Sequence, residues 1–204
     1  MTTFGTSSAG GPNLDSAPDA WAVLSNEIRN CRKCPLHETR THAVVYRGSL
    51  TPRLLFVGEA PGAAEDAAGL PFVGRSGRRL DAVVAQLGLS EGEFGVLNLL
   101  KCRPPANRFD RDAARTCRPY LDRQIALLAP RVLVTLGAPA LRALAPDAPP
   151  VLEAAGHPRS SARGPLFPLI HPAASMRSRR WGERWTHDVV ALREWLATGA
   201  AQPV

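Results

Sequence analysis

Four short apolar runs along the chain have no helical period, and each leads into a glycine or a polar residue. They cover residues 54–57, 96–100, 131–136 and 166–170. Runs of this length are typical of strands that are buried on both faces of a parallel sheet. A fifth run, at residues 43–47, predicts a short edge strand.

Apolar residues at helical spacing lie between these runs. The pattern predicts a first helix capped by Asp19, a helix from Ser76, a helix from about Ala113, a helix that follows Gly137, and a closing helix over residues 181–196. Strands that alternate with helices indicate the α/β class, and we expect a three-layer α/β/α sandwich around a mostly parallel sheet. We expect the 204 residues to divide into a disordered tail at 1–18, one domain at 19–197 and a flexible tail at 198–204.

Polar residues lie at or near the carboxyl ends of three of the predicted strands. Glu59 comes after the first strand, Asn98 lies near the end of the second, and His171 follows the last. Ligands of open α/β sheets bind beyond the carboxyl ends of the strands, so these side chains should meet in one crevice. The loop at residues 59–73 adds Phe72. A ring for stacking, an amide and a histidine suit a flat heteroaromatic ligand.

The charge balance favours a polyanionic partner. The chain has 25 Lys and Arg residues against 18 Asp and Glu, for a net charge of +7. Arginine, which suits phosphate contacts, dominates; a genome that favours arginine codons would give the same bias. Because we find neither a signal peptide nor an apolar run of about 18 residues, we expect a cytoplasmic protein without a membrane partner. We also expect a monomer.

Four cysteines suggest a metal site. Cys31 and Cys34 form a C-x2-C pair, and Cys102 and Cys117 are separated by a longer segment. In a reducing compartment such a set indicates zinc or an iron–sulfur cluster. The open second pair favours a [4Fe–4S] cluster over zinc, and four unrelated buried thiols are the other alternative.

Several motifs carry a family resemblance. G-E-A-P-G at 58–62, G-L-P-F-V-G-R-S-G at 69–77, N-L-L-K-C-R-P-P-A-N-R at 98–108, C-R-P-Y-L at 117–121 and H-P-A at 171–173 occur in this order. With the cysteine spacing, they closely resemble the family 4 uracil-DNA glycosylases, which are iron–sulfur enzymes. The resemblance covers about residues 20–196. It implies that the protein flips uracil out of DNA, hydrolyses its N-glycosidic bond and releases free uracil.

The resemblance also implies residue roles. Phe72 would stack on the flipped uracil, Asn98 would pair with its polar edge, and His171 would stabilise charge on its O2 atom. Gly58, Glu59 and Ala60 would shape the pocket. Cys31, Cys34, Cys102 and Cys117 would hold a [4Fe–4S] cluster.

Activation of the water is the open step, because Ala60 stands where family 1 relatives have an aspartate. We expect a carboxylate from elsewhere to act, with Glu65 first and Asp66 second, and Glu59 taking the role if Glu65 does not. The alternative is that Glu65 and Asp66 form a solvated loop face.

The last motif departs from the family, since H-P-A-A-S-M-R stands where relatives have bulkier residues. Met176 remains as a wedge for the duplex, and Arg177, Arg179, Arg180 and Arg108 are candidate phosphate contacts. We therefore expect single strands or U·G mispairs to be preferred over U·A pairs. A non-catalytic nucleic-acid-binding module with a structural four-cysteine site is the alternative function.

Overall fold

The structure is a computed structural model that describes residues 17–199. Residues 1–16 and 200–204, which hold most of the two predicted tails, lie outside the described residues. Helix α1 begins at Ala17, so Asp19 lies in its first turn and does not precede the helix as its cap.

A single six-stranded sheet forms the centre of the fold. Its strands lie in the order β1-β3-β2-β4-β6-β5. The four inner strands are parallel, and β1 and β5 are antiparallel edges. The bounds are β1 Arg47–Gly48, β2 Leu54–Gly58, β3 Phe94–Asn98, β4 Val132–Leu136, β5 Arg159–Ser161 and β6 Gly164–Leu169.

Helices cover both faces of the sheet. They are α1 Ala17–Arg29, α2 Leu36–Thr39, α3 Ala63–Ala68, α4 Arg75–Gln86, α5 Arg111–Leu128, α6 Ala138–Leu144, α7 Val151–Ala154, α8 Pro172–Ser175 and α9 Arg179–Ala197, with a 3-10 turn at Pro105–Asn107. Successive residues of a strand point to opposite faces. Leu55 and Val57 of β2 therefore pack in one core with α1 and α5, and Leu54 and Phe56 pack in a second core with α4 and α9. The predicted three-layer α/β/α class is confirmed.

Several predicted boundaries are wrong, and one of these errors matters for the site. Strand β3 covers residues 94–98, two residues before the predicted run, because Leu99 and Leu100 already turn to donate to the carbonyls of Gly58 and Glu59. Asn98 is therefore the last residue of its strand, level with Gly58 of β2. Both residues end at the edge of the sheet where ligands bind.

Other differences are local. The loop at 59–73 contains the short helix α3, which was not predicted, and strand β5 was also missed. The cap of α4 is Gly74, so Ser76 lies inside the helix. Helix α5 begins at residue 111 because the Asp110 carboxylate accepts from the amides of residues 112 and 113. Within residues 17–199, no helix is both long enough and apolar enough to cross a bilayer.

Candidate active site

An open cavity of about 820 Å³ lies beyond the carboxyl ends of β2, β3 and β6. Most of the residues that were predicted from the sequence to form the site line this cavity, although they come from four separate segments of the chain. Its walls include Glu59, Ala60, Glu65, Phe72, Asn98, His171, Met176 and Arg177. Gly58 lies directly beneath, where a side chain would collide with Asn98 and Phe72. The predicted convergence of Glu59, Asn98 and His171 is confirmed.

Asn98 presents an unused acceptor to this cavity. Only 1% of the residue is exposed, and its Oδ1 atom has no hydrogen-bond partner among residues 17–199. A buried polar atom without a partner costs about 1–3 kcal/mol. Such an atom is typical of a site where a ligand supplies the missing hydrogen bond. The Asn98 Oδ1 can therefore accept a hydrogen bond from a donor group of a ligand.

Phe72 forms an aromatic wall next to this amide. Its backbone has φ of 56°, which is unusual for a residue other than glycine. The Phe72 backbone lies against α4 at Gly77, where any side chain would clash with the Phe72 carbonyl. The ring centroid lies 6.2 Å from that of His171. The strained backbone thus turns the ring into the cavity, as is common at functional sites.

Glu65 holds the loop that carries Phe72. The carboxylate is buried, and its Oε1 accepts from the amides of Val73 at 3.1 Å and Gly74 at 2.8 Å, while Oε2 accepts from Gly62 at 3.1 Å. Three of its roughly four lone-pair positions are therefore used by the backbone. The geometry makes Glu65 a fixed anchor at the wall of the cavity.

Asp66 does not line the cavity. It is buried, and both of its oxygens accept from the amide of Thr41, at 3.0 and 3.1 Å. It ties α3 to the segment after α2 and lies outside the site, so it is the wrong carboxylate for handling the water there. The alternative of a solvated acidic face is also wrong, because Glu65 and Asp66 are both buried.

Glu59 is the carboxylate that remains free in the cavity. Within residues 17–199 it has neither a hydrogen bond nor an ion pair on its side chain. Burial without a partner disfavours its charged form and raises the pKa of the Glu59 carboxyl above its ordinary value of 4.5. A carboxylate in this state can accept a proton from a water molecule.

His171 is held as a neutral donor. Its Nδ1 atom accepts from the amide of Ala173 at 3.1 Å, so the neutral ring carries its proton on Nε2. Burial, reinforced by the charge of Arg177, lowers the pKa of His171 to about 4, although Glu65 opposes the shift. The ring therefore offers one N–H to the cavity at neutral pH.

The rim of the cavity is apolar and cationic. Met176 is 44% exposed and lines the cavity together with Arg177. Arg179 and Arg108 are exposed but lie outside the lining, and Arg179 is paired with Glu183 at 2.8 Å. Sequence reasoning missed Asn107 and Arg75, which do line the cavity. Both residues belong to motifs that the sequence analysis quoted: Asn107 to the motif at 98–108 and Arg75 to the motif at 69–77.

The four cysteines converge on a separate small cavity between α1, α5 and the segment after β3. Lys33, Arg40 and Lys101 line it with them. Arg40 Nη1 lies 3.0 Å from Cys102 Sγ, and Lys33 lies 4.8 Å above the ring of Tyr120. Burial raises the pKa of Cys102, and raises that of Cys117 to about 11. No three His, Cys, Asp or Glu residues between positions 17 and 199 are grouped so that they could hold one metal ion.

Comparison with known proteins gives the class to which this fold and site belong. The model of the uracil DNA glycosylase superfamily matches residues 45–196. The chain belongs to this superfamily.

Curated relatives narrow the assignment to the type-4 uracil-DNA glycosylases. The relative of that name from Saccharolobus solfataricus is 37% identical over 164 residues, which is 76% of each chain. The one from Thermotoga maritima is 36% identical, over 77% of this chain and 83% of its own. A third, from Pyrobaculum aerophilum, is 46% identical over 59% of this chain. The match spans 62% of the Pyrobaculum protein and 55% of the one from Sulfurisphaera tokodaii.

Proposed function

We propose that this protein is a DNA glycosylase that removes uracil from DNA by hydrolysis and leaves an abasic site. The observation that carries the proposal is the buried, unpartnered Oδ1 of Asn98 beside the ring of Phe72. These two groups match the edge and the face of a flipped uracil. Membership of the type-4 family supports the same activity.

Asn98 would select the base. Its Oδ1 accepts from uracil N3–H, and its Nδ2 donates to O4. Cytosine has an acceptor at N3 and a donor at N4, so its edge opposes both contacts. Phe72 stacks on the ring, and extrusion of the nucleotide brings the glycosidic bond into reach. Gly58, with no side chain, leaves room for Asn98 and Phe72 to sit together.

His171 would stabilise the leaving base. As the C1′–N1 bond breaks, its electron pair moves into the uracil ring and negative charge grows on O2. The Nε2–H of the neutral imidazole donates to that oxygen, in the manner of an oxyanion hole. The amide of Ala173 keeps the ring in the required tautomer.

Glu59 would orient the water and offset the positive charge on the sugar. The water oxygen bonds to C1′, and its proton passes to the carboxylate. The sequence analysis placed Glu65 first as the group that handles the water. The three backbone amides bound to Glu65 favour a positioning role instead, in which it holds the loop of Phe72. Glu59 is the cavity carboxylate whose oxygens are free to receive a proton.

The rim would contact the DNA. Met176 fills the space left by the flipped nucleotide, and Arg177 lies next to it for a phosphate. Arg108 and Arg179 lie farther out and would meet the flanking backbone.

The cysteines would hold a [4Fe–4S] cluster with a structural role. The donor set fits, since four thiols converge on one cavity and are flanked by cations. Neither Arg40 nor Lys101 has a carboxylate partner among the described residues, so the negative charge of a thiolate-bound cluster would balance them. The long segment between Cys102 and Cys117 favours a [4Fe–4S] cluster over zinc, whose compact sites pair closely spaced cysteines.

The test uses an oligonucleotide with one uracil and a matched strand with thymine. Incubation followed by alkali should break the first strand at the uracil and leave the second intact. An intact uracil strand, bound by protein that contains its cluster, would instead support the non-catalytic binding module.

A further inference from the structure

Lys101 is a buried cation between the two sites. It follows β3 by three residues, and 2% of it is exposed. Its ammonium group donates a hydrogen bond to the backbone carbonyl of Asn98. Its own carbonyl accepts from the amide of Val44 at 2.7 Å, so the backbone at Lys101 is fixed. The side chain therefore reaches back from a rigid position to the residue that faces the base cavity.

The other surroundings of this ammonium are the cysteines. Lys101 lines the same cavity as Cys102 and Cys117. Among residues 17–199 it has no ion pair with a carboxylate.

Asn98 needs a contact that fixes its backbone, and the hydrogen bond from Lys101 is such a contact. It is the last residue of β3, and its Oδ1 is left unpaired toward the cavity. The amide must keep its position to within about 0.5 Å to read a base edge. A hydrogen bond to its carbonyl from a buried charged donor is stronger than one from a neutral donor.

We propose that Lys101 is a positioning residue that ties the base-reading amide of Asn98 to the four-cysteine site. The inference rests on the proposed glycosylase function, and it gives the cysteine site a second task besides holding the fold together. Removal of the ammonium leaves the Asn98 carbonyl unpaired and frees the end of β3. The chemical step then slows, whereas binding of the DNA backbone at the rim does not change.

The experiment compares Lys101→Met with Lys33→Met. These are the two lysines of the chain, both line the cysteine cavity, and only Lys101 bonds to Asn98. Cluster content is measured for each variant by iron analysis and visible absorption, and DNA affinity with an abasic-site analogue. At equal iron content, Lys101→Met should lower the single-turnover rate at least about tenfold more than Lys33→Met, with DNA affinity unchanged. Rates within about threefold of each other would overturn the proposal.

A double-mutant cycle with Asn98→Ala tests whether Lys101 acts through Asn98. The loss caused by Lys101→Met should disappear in the Asn98→Ala background, and an equal loss in both backgrounds would overturn the proposal. Where Lys101→Met does not fold or lacks iron, Lys101→Arg and Lys101→Gln replace it. Arginine, which keeps the charge and the donor, should be faster than glutamine, and equal rates would contradict the inference. An inactive wild-type protein would refute the proposed function instead.

Discussion

The base cavity and the cysteine cavity lie on either side of residues 98–102, and they differ in whether their polar side chains have partners. In the base cavity, Asn98 Oδ1 and the Glu59 carboxylate have no partners within the described chain. In the cysteine cavity, cations already face the thiols, with Arg40 on Cys102. The first arrangement suits a ligand that enters and leaves, and the second suits a permanent group. Damage to the cysteine site should therefore reduce stability, and damage to the base cavity should reduce rate.

The largest effect is expected from Cys117→Ser. Cys117 is one of the four proposed ligands, so the substitution should remove iron and visible absorption. We expect the free energy of unfolding to fall by on the order of several kcal/mol. Denaturant unfolding with iron analysis checks this. A variant that keeps wild-type stability without iron would erase the difference between the two cavities.

Glu59→Gln should show the opposite behaviour. Loss of the proton acceptor should slow single-turnover cleavage by about 100-fold or more. Because burial disfavours the Glu59 charge, its ionisation costs stability at neutral pH, and the glutamine variant should be as stable as the wild type or more so.

The pH dependence provides a control for Glu59. The wild-type rate should rise with pH through a midpoint above 4.5, because only the ionised carboxylate accepts the proton. His171, with a pKa of about 4, is neutral at the pH values above this midpoint. The glutamine variant should lack this acid limb, and an unchanged limb would assign the titration to another group.

Glu65→Gln should reduce both rate and stability to an intermediate extent. The amide can place an oxygen toward only one side of the three backbone donors, so at least one of them loses its acceptor. We expect about 1–3 kcal/mol less stability and a rate about ten times lower, with DNA affinity retained. Unfolding curves and single-turnover kinetics together distinguish this from Glu59→Gln. A large rate loss at full stability would restore Glu65 as the water-handling group.

The smallest expected effect is the dependence of the cleavage rate on the base opposite uracil. With Met176 and small neighbours as the wedge, we expect uracil in single strands or opposite guanine to be removed several-fold faster than uracil opposite adenine. Cleavage time courses on the three substrates measure this. Equal rates would show that the rim supports flipping from paired DNA without bulky residues.

The sequence predicted the sheet and the convergence of Glu59, Asn98 and His171, because buried strands and polar strand ends are local signals. The order expected from the sequence, with Glu65 first, Asp66 second and Glu59 last as the water-handling group, is not the order that their contacts favour. Their roles depend on which backbone amides fold back onto each carboxylate, at separations of up to 25 residues for Asp66 and Thr41. Helix α3 was missed because glycines flank it and because its buried residues, Glu65 and Asp66, are polar and are covered by segments that are distant in the sequence. The monomeric state and the cytoplasmic location stay predictions.

The most direct test of the account is the single-turnover release of free uracil from uracil-containing DNA by wild-type protein and by Asn98→Ala. Both proteins should contain equal iron, and the alanine variant should be at least as stable as the wild type, because the Asn98 Oδ1 has no partner among the described residues. The alanine variant should release uracil about a thousandfold more slowly than the wild type. A rate within threefold of the wild type would contradict the assignment of this cavity as the uracil site.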